Sequence, residues 1–174
     1  MHCIQYVAVA ADSRAEARDQ VESYLNENLG EGGTGNWYDW FVVGGGRWST
    51  GDDPYNSDYV ADIAHISDSR FSEYLETAKK FRTEQRDSYL KKIRETDVEA
   101  LIARAEAASD FSERMSVGSD LFRFSRLSDI LWGTWNSDSY FFDATNDTTD
   151  WKYLEESMAK GDKNWYFVPV DFHF

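Results

Sequence analysis

Two apolar segments, one at each end of the chain, constrain the fold more than any other feature. Residues 2–10 carry apolar side chains on both faces of a predicted strand, and residues 164–174 form a second strand rich in aromatic side chains. Pro169 lies within the second segment and has no amide hydrogen to donate to a neighbouring strand. We therefore expect the last strand to lie at a sheet edge or to carry a bulge.

Between these two strands, helix and strand patterns alternate. Ser13 and Glu16 form a capping box that begins a helix, and this helix ends near Leu29, before a glycine-rich loop at 30–35. Further strands are predicted at 37–43, 59–66 and 140–145, a loop containing Pro54 at 50–58, and helices at 69–95, 96–108, 119–131 and 149–160.

This order of elements resembles a split βαβ unit, which is the core of ferredoxin-like folds. We therefore predict an α+β fold of ferredoxin-like type, with an antiparallel sheet, a single domain over residues 1–174 and a helical insertion at about 69–131. In such a sheet the first and last strands are antiparallel neighbours.

The balance of charges restricts the classes of partner. The formal net charge is -14, and simple binding along a phosphate backbone requires a basic face, so we expect no direct binding of nucleic acid. The acidic residues fit a solvated surface, mimicry of nucleic acid aimed at a basic protein, or an acidic body that carries a local basic spot. Asp exceeds Glu and Arg exceeds Lys, a balance similar to that of halophilic proteins.

We expect no targeting signal and no membrane span in this sequence. No apolar run approaches the roughly 20 residues that span a bilayer, and the first residues lack the basic start of a signal peptide. We therefore expect a cytoplasmic protein with no membrane contact. Cys3 is the only cysteine, so no disulfide forms within the chain.

The segment from Trp37 to Ser49 is the strongest functional signal, because it combines aromatic side chains, three consecutive glycines and one arginine. Glycines let a backbone approach a ligand closely, and their successive N–H groups can form a nest for an anion. An arginine adds bidentate contacts to phosphate or carboxylate, and tryptophan stacks on bases. Together these features predict a site for a nucleotide-like ligand, comprising Trp37, Asp39, Trp40, Gly44, Gly45, Gly46, Arg47 and Trp48.

The same segment also has a purely structural interpretation. The glycines then form a tight hairpin or bulge, and Arg47 pairs with one of the many carboxylates, for example Asp39 across the hairpin. The glycine run matches neither the phosphate-binding loop of NTPases nor the dinucleotide-binding fingerprint, and we expect no bound cofactor.

A second candidate group lies at the chain termini. Antiparallel pairing of the first and last strands brings His2 close to Asp171 and His173, and the last two share a face because they are two residues apart. Two histidines and one aspartate can bind a metal or perform acid–base chemistry, and they can equally be surface residues with no such role. Since no nucleophile motif or strong metal motif accompanies them, we favour a non-catalytic protein.

The run Trp-Tyr-Asp-Trp-Phe-Val-Val-Gly-Gly-Gly-Arg-Trp at 37–48 is similar to a pattern in small proteins of tailed phages and archaeal viruses. Those proteins often begin with a short strand and end in a strand that closes on Asp-x-His, as residues 171–173 do here. The resemblance covers 1–50 and 164–174, and it implies a viral accessory protein that acts in the host cytoplasm against a host defence.

The sequence is compatible with several functions. Our leading expectation is a protein that binds, and thereby sequesters, a nucleotide-derived small molecule. The alternatives are an acidic inhibitor that binds a host protein, a metal-dependent enzyme using His2, Asp171 and His173, or a component of the virion. A homo-oligomer is compatible with each of them.

Overall fold

The computed structural model describes residues 1–27, 37–53, 55–56 and 58–174. The predicted helix end at Leu29, the loop 30–35 and Pro54 lie outside the described residues. The strands are β1 (His2–Ala10), β2 (Trp40–Val43), β3 (Ala64–His65), β4 (Phe141–Asp143) and β5 (Trp165–His173). The helices are α1 (Arg14–Glu27), α2 (Ser69–Arg94), α3 (Val98–Ala107), α4 (Phe111–Trp132) and α5 (Trp151–Lys160), with a short 3-10 helix at Gly46–Trp48.

The described strands form one sheet in the order β2-β5-β1-β4, and β3 also pairs with β5. This arrangement confirms the α+β class. Strand β5 runs antiparallel to both β1 and β2 and lies between them, so β1, α1 and β2 form a split βαβ unit. Strand β4, however, pairs in parallel with β1. The sheet is therefore mixed, whereas we predicted an antiparallel sheet. The helices that precede β4 return the chain to the edge in the direction of β1, which a short hairpin could not do.

Each face of the sheet is covered by different helices because side chains alternate along each strand. One face packs on α1, and its core includes Val7, Val21, Leu25, Val168 and Phe172. The opposite face packs on α2 and α5, and its core includes Ala8, Phe71, Leu75, Leu154 and Phe167. No helix in the described part of the chain has the length and apolar composition needed to cross a membrane.

The position of Pro169 differs from our expectation. Strand β5 is central rather than at an edge, and its pairing with β1 continues without a bulge through Tyr6 and Pro169. The Pro169 carbonyl accepts a hydrogen bond from Gly44 N (2.8 Å), so the Pro169 nitrogen also faces the β2 side, away from β1. It lies between the β2 pairing, which ends at Val170, and the β3 pairing, which begins at Phe167. The missing N–H therefore interrupts no ladder.

The helical block between β3 and β4 is only partly an insertion. Helix α2 contributes to the core, whereas α3 and α4 pack on each other and α4 packs on α2. Helix α4 begins at Phe111, earlier than the predicted residue 119, because the Asp110 side chain accepts a hydrogen bond from Glu113 N and caps the helix. Its first turns carry exposed apolar side chains, Phe111 and Met115 among them, so no buried stripe marked them in the sequence.

Candidate functional site

The structure brings the two predicted groups together at one corner of the sheet. In the strand register, His173 lies opposite His2 on one side and opposite Trp40 on the other. All three side chains are on the face that packs on α2 and α5, as is Asp171. The 3-10 helix that follows β2 adds Trp48, whose ring centroid is 6.5 Å from that of His2. We refer to His2, Trp40, Trp48, Asp171 and His173 as the histidine–tryptophan corner.

Asp171 is the buried centre of this corner. Its side chain is 0% exposed, and its Oδ1 lies 2.8 Å from His2 Nδ1. Its Oδ2 accepts a hydrogen bond from the backbone N–H of Arg47 at 3.2 Å. A buried carboxylate requires such partners, because an unpaired charge would lose its hydration without compensation.

The glycine turn closes directly over Asp171. Gly46 has a φ of 46°, and a Cβ atom built there would lie 2.6 Å from Asp171 Oδ2, so only glycine fits. The anion that this turn receives is therefore the chain's own carboxylate. Gly44 and Gly45 also have positive φ, and Gly44 N donates to the Pro169 carbonyl rather than pointing into an open nest.

The second histidine has its own carboxylate. His173 Nδ1 lies 2.6 Å from Asp39 Oδ1, and the Asp39 side chain is 62% exposed. The hydrogen bond from His173 is the main cause that holds the pKa of Asp39 below its ordinary value. The predicted pairing of Asp39 with Arg47 is wrong, because β2 pairs with β5 rather than folding back as a hairpin onto the glycine turn.

Aromatic rings surround the two imidazoles. Trp40 stacks on His173 with centroids 5.0 Å apart and an interplanar angle of 10°, and it meets His2 edge-on at 5.1 Å. Trp40 and Trp48 are 41% and 40% exposed, so part of each indole remains free to contact a ligand. Arg47, which directly precedes Trp48 in the sequence, is exposed. Within the described residues its guanidinium forms no ion pair.

Trp37 does not belong to this corner. It packs against the core on the α1 face, where its ring lies 4.8 Å from Phe172 and 5.6 Å from Trp135. Trp40 is three positions after Trp37, and an odd difference in position places two side chains on opposite faces of an extended segment. The alternation of side chains along the segment therefore predicts that Trp37 and Trp40 face opposite sides of the sheet.

A cavity of about 650 Å³ adjoins the corner, between the sheet and α2. Its lining includes Trp48, the stacked pair Tyr6 and Tyr74, Phe81, Arg70 and Glu73. The ring centroids of Tyr6 and Tyr74 are 4.5 Å apart. Trp48 is the residue that the cavity and the corner share. No pattern in the sequence marks the other lining residues as a site, because only the packing of α2 onto β1 brings them together.

Asp62 holds one wall of the cavity in place. Its carboxylate accepts hydrogen bonds from Ser49 Oγ, Thr50 N and Oγ1, and Tyr59 OH at 2.6–2.9 Å, and Arg70 Nη1 lies at 3.2 Å. Burial raises the pKa of Asp62, but the hydrogen bonds from Thr50, Ser49 and Tyr59 outweigh it, and the net shift is downward. These bonds anchor the segment directly after Trp48.

The metal site considered for His2, Asp171 and His173 is not supported by the geometry. Among the residues that the structure describes, no group of three or more His, Cys, Asp or Glu side chains is arranged to hold a metal ion. The reason is visible in the contacts: the Nδ1 atoms of the two histidines are directed at two different carboxylates rather than at a common point.

No protein family model, no curated protein and no solved structure matches the chain.

Proposed function

We propose that the protein binds a nucleotide-derived small molecule in the cavity beside the histidine–tryptophan corner. One observation carries the proposal: Trp48, a partly exposed indole, lines the 650 Å³ cavity and also borders the corner. Ligand sites in proteins are concave, mostly apolar and of this order of volume, with a few polar groups that fix orientation. The cavity combines aromatic walls with Arg70 and Glu73 in this way.

In this proposal the base or another planar ring of the ligand stacks on Trp48, and Trp40 provides a second exposed indole nearby. The exposed guanidinium of Arg47 binds the anionic part of the ligand, since its backbone N–H is held by Asp171 and its side chain forms no ion pair with the residues that the structure describes. Sequestration of a host signal by a viral protein remains the role that the sequence resemblance predicts.

The test is titration with AMP, ATP and 3′,5′-cyclic AMP, followed by tryptophan fluorescence and calorimetry. Stacking on an aromatic side chain contributes about 1–3 kcal/mol per base, so we expect Trp48→Ala to weaken binding by roughly 5–150-fold. Arg47→Ala should also weaken it. Trp132→Ala and Arg94→Ala are matched controls, because Trp132 is exposed at the end of α4 and Arg94 in the last turn of α2.

Native mass spectrometry of the protein purified from cells tests the same proposal without a choice of ligand. A stoichiometric small-molecule mass that is lost in Trp48→Ala supports the site. No added mass in the purified protein, together with no binding of the three nucleotides, would contradict it.

A second candidate function is binding of a host protein through α3 and α4. It is favoured by exposed apolar side chains on these helices: Val98, Ile102, Phe111, Met115, Leu121 and Phe122. Several large exposed apolar side chains on two neighbouring helices make this surface a candidate protein interface. Pull-down from host cells with the double variant Phe111→Glu/Phe122→Glu should then lose a partner that Trp48→Ala retains.

A further inference from the structure

The corner contains two imidazoles that are each held by a carboxylate. His2 Nδ1 lies 2.8 Å from Asp171, and His173 Nδ1 lies 2.6 Å from Asp39. The two rings are in contact, with centroids 4.9 Å apart and an interplanar angle of 74°. The third histidine of the chain, His65, forms its hydrogen bond with Ser67 and provides a comparison within the same protein.

A carboxylate at Nδ1 determines what the other ring nitrogen does. When Nδ1–H donates to the carboxylate, Nε2 carries the lone pair and acts as a base, and the carboxylate stabilises the imidazolium that forms. His2 Nε2 has no partner within the described part of the chain. His173 Nε2 lies 3.4 Å from the Met1 amino group. Both rings are partly accessible, with side chains 16% and 32% exposed.

We propose that the corner hydrolyses a phosphodiester of a nucleotide-derived molecule, with His173 as general base and His2 as general acid. This inference rests on the proposed binding function and adds a reaction to it. Attacking and leaving oxygens lie on opposite sides of the phosphorus in such a displacement, so two separate imidazoles suit it better than one. Arg47 supplies the positive charge that stabilises the phosphoryl oxygens in the transition state.

The reaction is balanced with water as the second reactant. His173 Nε2 removes a proton from water, and the water oxygen forms a new P–O bond. The ester P–O bond breaks, and the departing oxygen takes a proton from the protonated Nε2 of His2. The products are a phosphomonoester and an alcohol, and exchange of protons with solvent returns both histidines to their starting states.

The assignment of base and acid follows from the partners of the two rings. Asp171 is fully buried and also held by Arg47 N, so it holds His2 Nδ1–H firmly and leaves Nε2 as the atom that carries the transferred proton. His173 Nε2 faces the Met1 amino group, which donates as an ammonium, so this nitrogen carries the lone pair that a base needs. Asp171 and Asp39 act here as positioning residues, since each works through its histidine.

The test uses bis(p-nitrophenyl) phosphate and 2′,3′-cyclic AMP as substrates, with EDTA present to suppress contaminating metal-dependent phosphodiesterases. General acid–base groups contribute roughly 10²–10⁴-fold, so we expect His2→Gln and His173→Gln each to lower kcat by about that factor. The double variant should be little worse than either single variant, because the two groups act as a unit. His65→Gln should retain the wild-type rate.

A second measurement does not depend on the choice of substrate. Nitrogen-15 NMR of the imidazoles should find the Nδ1–H tautomer at neutral His2, and Asp171→Asn should shift the population toward Nε2–H. Melting temperatures of all variants establish that they are folded before rates are compared.

The outcomes separate this inference from the binding proposal. Binding of nucleotides without hydrolysis of either substrate by the folded wild-type protein would overturn the catalytic inference and leave the binding site standing. Equal rates in the wild type and the His2→Gln/His173→Gln variant would overturn it as well. Hydrolysis that depends on both histidines, without affinity for the nucleotides, would support the chemistry and refute the proposed class of ligand.

Discussion

The corner contains the same interaction twice in two different environments. His2 with Asp171 and His173 with Asp39 are both imidazole–carboxylate pairs with N–O distances below 3 Å. Asp171 is 0% exposed and is enclosed by the glycine turn, whereas the side chain of Asp39 is 62% exposed. The two N–O distances are almost equal, but one carboxylate is buried and the other is exposed to solvent.

The N–O distance alone therefore does not determine how much a pair contributes to the free energy of unfolding. Water solvates an exposed carboxylate whether or not its partner is present, so loss of the pair costs little. A buried carboxylate has no such alternative, and its removal also leaves its donors without partners. The His2–Asp171 pair should therefore stabilise the fold and orient His2, whereas the His173–Asp39 pair should only orient His173.

The largest effect should come from removing each carboxylate in turn. Asp171→Ala leaves the His2 Nδ1 and Arg47 N donors unsatisfied and opens a cavity, so we expect it to lower the free energy of unfolding by about 3 kcal/mol. Asp39→Ala should give no measurable change. Urea denaturation followed by circular dichroism compares the two, and equal losses would remove the distinction between the pairs.

The next effect concerns the glycine that covers Asp171. Gly46 and Gly161 both have left-handed φ, 46° and 66°, but a Cβ at Gly46 meets Asp171 while a Cβ at Gly161 meets nothing within 4 Å. Gly161→Ala should cost about 1 kcal/mol for the backbone conformation alone. Gly46→Ala should cost about 1–3 kcal/mol more, because it also overpacks the turn. If urea denaturation finds the same loss for both, the turn does not clamp the carboxylate.

A smaller effect, which decreases in acid, comes from Asp62 at the cavity wall. Its folded-state pKa lies below the ordinary value of 3.8, so its contribution to stability is present above about pH 4 and is lost as the pH falls through the folded-state pKa. Asp62→Asn should destabilise the protein at pH 7, and the difference from wild type should shrink toward pH 3. Asp52→Asn, at an exposed aspartate, is the control and should show no such convergence.

The smallest effect is a change in titration without a change in fold. His173→Gln removes the hydrogen bond that lowers the pKa of Asp39, so this pKa should rise toward its ordinary value in carbon-13 NMR titration. His2→Gln should leave the Asp39 pKa where it is, since His2 bonds to Asp171 instead. If the pKa of Asp39 is the same in the wild type and in His173→Gln, the pair is not formed in solution.

Local patterns in the sequence determined much of the fold and half of the site. Apolar segments at 2–10 and 164–174 predicted the paired terminal strands, and their alternation placed Asp171 and His173 on one face beside His2. Such signals depend on a chain's own periodicity, so they need no knowledge of distant contacts.

Tertiary structure decided everything that depends on which segments meet. Only the pairing of β2 with β5 brings Trp40 onto His173 and gives Asp39 a histidine rather than Arg47 as partner. The parallel position of β4, the central place of Pro169 and the cavity beside Trp48 likewise follow from long-range packing. The periodicity of the sequence predicts on which face of its strand or helix a side chain lies. Which residues it contacts there depends on how the sheet and helices pack together.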